Sequence, residues 1–502
     1  MDRVNRLKFN TAASFLQRFV LILSGLILPR LILLYYGSEI NGLTASINQF
    51  LSVITFLDLG VGSVVQSALY RPLANKDSLE ISKIMYAARK YFRNISYLLI
   101  VYIVGLMLFY PLLVEQSISF LATSFLIFAM SISFFSQFYF GIVNELFLNA
   151  DQKGYIQLGT EIIVILLNLA ATVFLITQGF SIQMVRLTTG LIYLIRPLYL
   201  SYYVNKHYDI QHDLEIKDNP LPQKWHGMAQ HIAWSVHNST DIVILTAFST
   251  LENVSVYSIY NMVVQAVRAI ITSLTDGLTS FFGDLLANEE IELLNGYFDR
   301  IEWLVHTFVT YLFGMTLVLI NSFVMLYTTG VTDINYYVPT FSFILIITQY
   351  LYSLRSPYQL MILAAGHFKE TQKASVIEAV LNIILSLLLV NNYSLIGVAI
   401  GGFFSILYRS GYVVWYISKN IIKRPLKLFW KQFFVDILSF VLMIFLGGRI
   451  SSYYQIERIM DWIFLAILLG IIFVFISLII NIIFYKEIVT GEINRLKEMV
   501  KR

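Results

Sequence analysis

The 502-residue chain contains no cysteine. Disulfides, thiolate metal sites and a cysteine nucleophile are therefore excluded. Charge is scarce as well. Asp, Glu, Lys and Arg make up 13% of the residues, about half of the roughly 25% found in soluble domains. That shortage excludes both a soluble globular protein and a disordered one. Catalytic signatures are missing too: there is no phosphate-binding glycine loop, no Asp-x-Asp metal pair and no Gly-x-Ser-x-Gly elbow. The seven histidines are scattered. His231 and His237 are six residues apart, on different helix faces, so no metal site is indicated. No cofactor or nucleic-acid partner is indicated either.

What is present is apolar. Hydrophobic residues make up 57% of the chain and the mean hydropathy is +0.70. At about 20 residues per crossing, this allows a dozen or more spanning helices. The pattern predicts an all-α polytopic membrane protein with about fourteen, at approximately 12–36, 44–69, 93–114, 118–148, 155–178, 181–204, 226–250, 254–287, 301–328, 336–364, 371–392, 395–418, 429–448 and 458–485. Spans 118–148 and 254–287 exceed the bilayer and must tilt or project into water. The first apolar run is too long for a signal-peptide core and counts as a span. Segment 78–92, with Leu79, Ile81, Ile84, Met85, Ala88 and Phe92 at helical spacing, reads as an amphipathic helix on the inner leaflet, and 487–502 as a second.

Lys and Arg set the orientation. With these spans, 26 of them fall on one side, including Lys419, Lys423, Arg424, Lys427 and Lys431, and two, Arg449 and Arg458, on the other. This is the positive-inside bias, with both termini cytoplasmic. Trp225, Trp303, Trp430 and Trp462 fall at span ends, where aromatic side chains anchor. The predicted outer loops are shorter than about ten residues, so no outer domain is built.

The chain repeats itself. Leu194–Lys206 matches Leu407–Lys419 at five of thirteen positions, with an offset of 213, and Leu73-Ala74-Asn75 matches Leu286-Ala287-Asn288 at the same offset. Glu161 then falls opposite Glu378. Six helices per repeat is an even number, so the repeats are parallel in the membrane. The predicted layout is a six-helix lobe 1–204, a cytoplasmic linker 205–225, a second six-helix lobe 226–418, and helices 13 and 14 with a tail over 419–502.

Charges inside spans carry the functional reading. Seven arginines fall there, each costing about 2.5–3.5 kcal/mol at mid-bilayer. Glu161 with Arg196, and Glu378 with Arg409, read as one structural ion pair per half. Arg186 lies near an outer helix end, where it can snorkel. Arg18, Arg30, Arg268 and Arg355 lack repeat-related mates and are candidates for a cationic cavity. A guanidinium makes forked contacts to phosphate oxygens and stays charged. The alternative is pairing with Asp58, Glu145, Asp241 or Asp276, or snorkelling of Arg30 and Arg355. Those four acids, with Asp284 and Asp436, are also candidates for ion coupling. Gly25 and Pro29 make helix 1 a candidate hinge.

The N-terminal block then carries a resemblance. Leu28-Pro29-Arg30, Tyr36-Gly37, Asn41-Gly42-Leu43, Asp58-Leu59-Gly60-Val61-Gly62 and Ala68–Ala74 resemble the bacterial polysaccharide repeat-unit flippases. These belong to the multidrug/oligosaccharidyl-lipid/polysaccharide exporter superfamily. The resemblance implies two six-helix lobes around a cationic cavity and alternating access. It implies movement of an undecaprenyl-diphosphate-linked oligosaccharide from the inner to the outer leaflet of the bacterial cytoplasmic membrane, for capsule or O-antigen assembly. Arg18 and Arg268 suit the role of diphosphate contacts in that pattern. Implied partners are the lipid-linked substrate, membrane lipids, and a polysaccharide polymerase and chain-length regulator of the same pathway. In the lipid II flippase branch, helices 13 and 14 form a lipid groove. A lipid II flippase and a drug/cation antiporter of the same superfamily are the alternatives, and the arginines disfavour the antiporter. A membrane-embedded polymerase would need a larger polar outer loop.

Overall fold

The computed structural model describes residues 3–53, 61–114, 118–211, 239–275, 278–288 and 290–501. Asp58, Asp276, Trp225, His231, His237 and most of the expected linker lie outside the described residues. The described chain is helical, with no strand among the described residues. Its helices are α1 Arg3–Ser52, α2 Val61–Asn75, α3 Ser78–Leu113, α4 Phe120–Ser136, α5 Ile142–Ala150, α6 Gly154–Thr177, α7 Ile182–Tyr193, α8 Ile195–His207 and α9 Ser239–Phe248. They continue as α10 Leu251–Thr275, α11 Leu278–Ala287, α12 Ile291–Tyr327, α13 Pro339–Leu354, α14 Ser356–Ala365, α15 Phe368–Asn420, α16 Leu426–Ser452 and α17 Ile459–Lys501. Among the described residues, nine continuous helices are long and apolar enough to cross a membrane. The chain forms two compact units, Met1–Val256 and Tyr257–Arg502, divided within α10.

Several helices contain more than one arm. The apolar part of α1 runs 45 residues and α15 runs 53, whereas a hydrocarbon core of about 30 Å needs only about 20 residues at 1.5 Å each. Each has one non-helical residue, Gly37 (φ 83°) in α1 and Ser394 (φ 47°) in α15. Gly37 lacks the Cβ that would clash at such a φ. At Ser394 the chain doubles back: Gly397 packs on the Leu389 backbone and Gly401 on Ser386. A Cβ at Gly401 would lie 2.2 Å from Ser386 Oγ and 2.8 Å from its amide nitrogen. The Gly-x-x-x-Gly spacing thus lets two antiparallel arms touch backbone to backbone. Gly401→Val is expected to cost at least about 1–3 kcal/mol by overpacking. It should lower the melting temperature of the purified protein, whereas Gly411→Ala, which meets open space, should not.

In the first unit, α3 is one uninterrupted helix. The expected inner-leaflet helix 78–92 is therefore its first half, and the helix is not broken at residue 92. The reason is burial. Ile81, Ile84, Met85, Ala88 and Phe92 are all at most 8% exposed and join Val65, Leu69 and Phe147 in the core, so the apolar stripe faces protein. Asp77 caps the helix by accepting from the Glu80 amide at 3.0 Å. The second arm of α1 meets α9 and the start of α10 through buried polar pairs. Asn41 donates to Ser255 Oγ at 2.7 Å, Ser46 and Thr246 share a 2.7 Å bond, and Tyr110 donates to Ser46. Gly42 allows this approach, since a Cβ there would overlap the Leu251 carbonyl.

In the second unit, α12 is packed along its length by α16 and α17. Gly447 and Gly314 make room for Phe473 and Met443. Beside this seam an open apolar cleft of about 510 Å³ runs between α12 and α17, lined by Tyr311, Trp462, Ala466, Gly470, Ile471 and Val474. α17 breaks at Tyr485 and continues as a helix to Lys501.

Candidate functional site

Helix breaks place the charged groups. In the first unit, α4 passes into α5 through a π-helical turn, Gln137–Gly141, and α7 passes into α8 at Leu194, just before Pro197. Such interruptions free backbone groups and turn side chains into the bundle. Arg196 sits at the second break and is 7% exposed. Its Nη2 is ion-paired with Glu145 and lies 3.3 Å from Glu161 Oε2. Gln137 donates to Glu145 at 2.9 Å, Gln17 of α1 donates to Glu161 at 3.0 Å, and Arg196 donates to Tyr193 Oη at 3.0 Å. Two carboxylates thus face one guanidinium, leaving the cluster one negative charge.

The second unit repeats the break with the opposite sign. At the 213-residue offset, the π-helical turn corresponds to 350–354, immediately before the α13–α14 break at Arg355 and Pro357. Arg355 is 8% exposed and donates to Glu378 Oε1 at 3.0 Å. Arg409 Nε lies 3.7 Å from the other oxygen of Glu378 and its Nη1 donates to the Thr371 carbonyl at 3.0 Å. Two guanidiniums share one carboxylate. The guanidinium carbons of Arg355 and Arg268 lie 4.5 Å and 4.2 Å from the Tyr352 ring centroid. Tyr352 therefore gathers a third cation. Counting Arg268, Arg355, Arg409 and Glu378, the cluster carries two net positive charges. Arg268 is half-buried, and among the described residues no carboxylate pairs with it.

The other expected residues are placed as follows. Arg18 is exposed and Arg30 half-buried on α1, and each has an interaction partner. Asp241 lies half-buried on α9, also partnered. α1 is helical through Gly25 and Pro29, and its non-helical residue is Gly37. Arg186 is half-buried on α7, its Nε buried without a hydrogen-bond partner. The sequence puts Arg355 among arginines without a repeat-related mate, and Glu145 among acids that could couple ions or pair with them. The structure puts Arg355 on Glu378 and Glu145 on Arg196, because each helix break turns its charge onto a neighbouring span.

Sequence reasoning missed Tyr352 and a second group at the basic end of the second unit. Arg424, between α15 and α16, lies 2.5 Å from Glu302 Oε2 and 3.2 Å from Asp299 Oδ1. Tyr358 of α14 donates to the other oxygen of Glu302. Deeper along α12, His306 Nδ1 lies 2.7 Å from Asp436 Oδ2 of α16. The available signal was the spacing of 299, 302 and 306, which puts three titratable residues on one face of an apolar helix. Burial opposes the charge on Arg424, but Glu302, then Tyr358 and Asp299, more than offset this and hold it above its ordinary value.

No family model matches the chain, and no curated protein sequence matches it. Solved structures do. The lipid II flippase MurJ in an inward closed conformation aligns over 96% of this chain and 99% of its own, at 16% identity and a TM-score of 0.71. An inward-facing multidrug resistance MATE family transporter of the MOP superfamily aligns over 84% of this chain and 99% of its own, at 13% identity and 0.58. The MATE multidrug transporter DinF-BH aligns over 82% and 95%, at 15% and 0.59. The chain thus has the all-α, polytopic fold shared by MurJ and MATE transporters.

Proposed function

We propose that this protein is a flippase carrying undecaprenyl-diphosphate-linked oligosaccharide units from the inner to the outer leaflet of the bacterial cytoplasmic membrane by alternating access. The units would serve capsule, O-antigen or a related surface polysaccharide, in a pathway with a polymerase and a chain-length regulator. The observation that carries this reading is the net-positive cluster of Arg268, Arg355 and Arg409 around Tyr352 and Glu378. Guanidinium groups that outnumber their carboxylates within a spanning bundle favour a diphosphate and oppose a hydrophobic cation. The apolar cleft between α12 and α17 suits an isoprenoid chain. MurJ and MATE proteins are transporters, and no enzyme active site is proposed.

A lipid II flippase is the second reading. The alignment with MurJ over 96% of the chain favours it, and its substrate would present the same diphosphate. The two differ in the saccharide. A leaflet assay in proteoliposomes separates them, using fluorescent undecaprenyl-diphosphate oligosaccharide beside fluorescent lipid II. Faster protein-dependent translocation of the oligosaccharide lipid is expected. A preference for lipid II would select the second reading. Efflux of a hydrophobic cation without movement of either lipid would overturn both.

A further inference from the structure

The second unit holds a buried acid–base seam that the substrate reading does not use. Asp299, Glu302 and His306 lie on one face of α12, spanning about 10 Å at 1.5 Å per residue. Exposure falls steeply along it: the Asp299 side chain is 44% exposed, Glu302 2% and His306 0%. Asp436 closes the inner end at 2% exposure, held by Gln432 at 2.8 Å as well as by His306. The outer end is the basic segment with Lys419, Lys423, Arg424, Lys427 and Lys431. Glu302 of α12 faces both His306 and Asp436, Tyr350 of α13 and Tyr485 of α17 face Asp436, and Tyr358 of α14 faces Glu302, Asp299 and Arg424.

The charge count requires a proton. Three carboxylates, Asp299, Glu302 and Asp436, face Arg424, with the Lys431 ammonium over the Tyr485 ring at 4.4 Å. With a neutral imidazole, carboxylates outnumber cations and Asp436, at the fully buried end, has no charged partner in contact among the described residues. A buried charge without a partner is strongly disfavoured. A proton on the His306 ring, shared with Asp436, removes that cost locally. Imidazole gains and loses protons near neutral pH, which a guanidinium does not. The other ring nitrogen of His306 is buried beside the Leu354 carbonyl. Leu354 is the residue before Arg355, and Tyr358, three residues beyond Arg355, is tied to Glu302. The seam therefore grips both sides of the helix break that carries the arginine cluster.

We propose that His306 and Asp436 form a proton-binding site, filled from the basic end through Asp299 and Glu302, whose occupancy alters the anion site at Arg355. The proton comes from bulk water and returns to it. The coupling clause rests on the substrate reading above; the binding site does not.

The test uses the full chain, purified and labelled with ¹⁵N-histidine. The signal of His306, identified by its loss in His306→Gln, is expected to titrate between roughly pH 5 and 9 and to move its midpoint in Asp436→Asn. A signal locked in one state, or unmoved by Asp436→Asn, would overturn the site. Should His306→Gln fail to fold, the native protein decides. One histidine with slow solvent exchange, perturbed by Asp299→Asn at the exposed mouth, is expected; seven that all titrate like free histidine overturn it. Coupling is read as the affinity for undecaprenyl diphosphate in the same detergent, expected to change about tenfold across the His306 midpoint and to be flat in His306→Gln. A flat native profile overturns the coupling. Absence of diphosphate binding at every pH removes the substrate reading and leaves the titration to decide the proton site.

Discussion

Arg268→Ala is expected to cut translocation of a diphosphate-bearing lipid about ten- to 150-fold, the loss of one charge-assisted hydrogen bond of about 1.5–3 kcal/mol. Folding should hardly change. Arg268 is half-buried, makes no carboxylate pair among the described residues, and rests on Tyr352 at 4.2 Å. Removing it deletes a charge that no carboxylate among the described residues neutralises. The ring supplies a further check. Tyr352→Phe keeps the face on which both guanidiniums rest and should keep most activity. Tyr352→Leu removes a contact worth about 0.5–2 kcal/mol and should fall between native and Arg268→Ala. Arg268→Lys is expected to rescue only in part, since an ammonium lacks the planar fork. Unchanged transport with a lowered melting temperature in Arg268→Ala would return this arginine to a structural role.

Glu378→Ala should act in the opposite way, on folding first. Arg355 and Arg409 are 8% and 2% exposed and share this carboxylate. Breaking a buried pair by removing one partner costs about 3–5 kcal/mol, and here two guanidiniums lose theirs together. The expected readout is a collapse in folded yield and melting temperature. Glu161→Ala, the repeat-related change, should be milder, because Arg196 keeps Glu145. Equal damage from the two would mean that Glu145 does not neutralise Arg196.

The fold class was legible because membrane spans are written in long apolar runs, and helix covers most of each expected span over the described residues. The internal breaks were not. A π-helical turn at Gln137–Gly141 has no composition signal, and the continuity of α3 depends on whether Ile81, Ile84 and Met85 face lipid or protein, which their spacing alone does not decide. The charged residues were visible individually, but their grouping was not. Glu378 lies 23 residues from Arg355 and 31 from Arg409, and only tertiary packing shows that it serves both. In sequence Arg424 is one of five basic residues between 419 and 431, and only the fold sets it against Glu302 and Asp299. His306 and Asp436 are 130 residues apart.

The two charge clusters also bear on how such a chain arose. Glu161 and Glu378, with Arg196 and Arg409, occupy repeat-related places, yet the third partner is an acid in one unit and a base in the other. A pair of identical, separately encoded six-helix subunits would have to carry the same cluster twice. Opposite signs are available only after two copies of the gene have fused or separated, so that each copy mutates by itself. Were the two halves copies of one six-helix unit, the acid at Glu145 and the base at Arg355 would mark change after the copying, each half altering its own break.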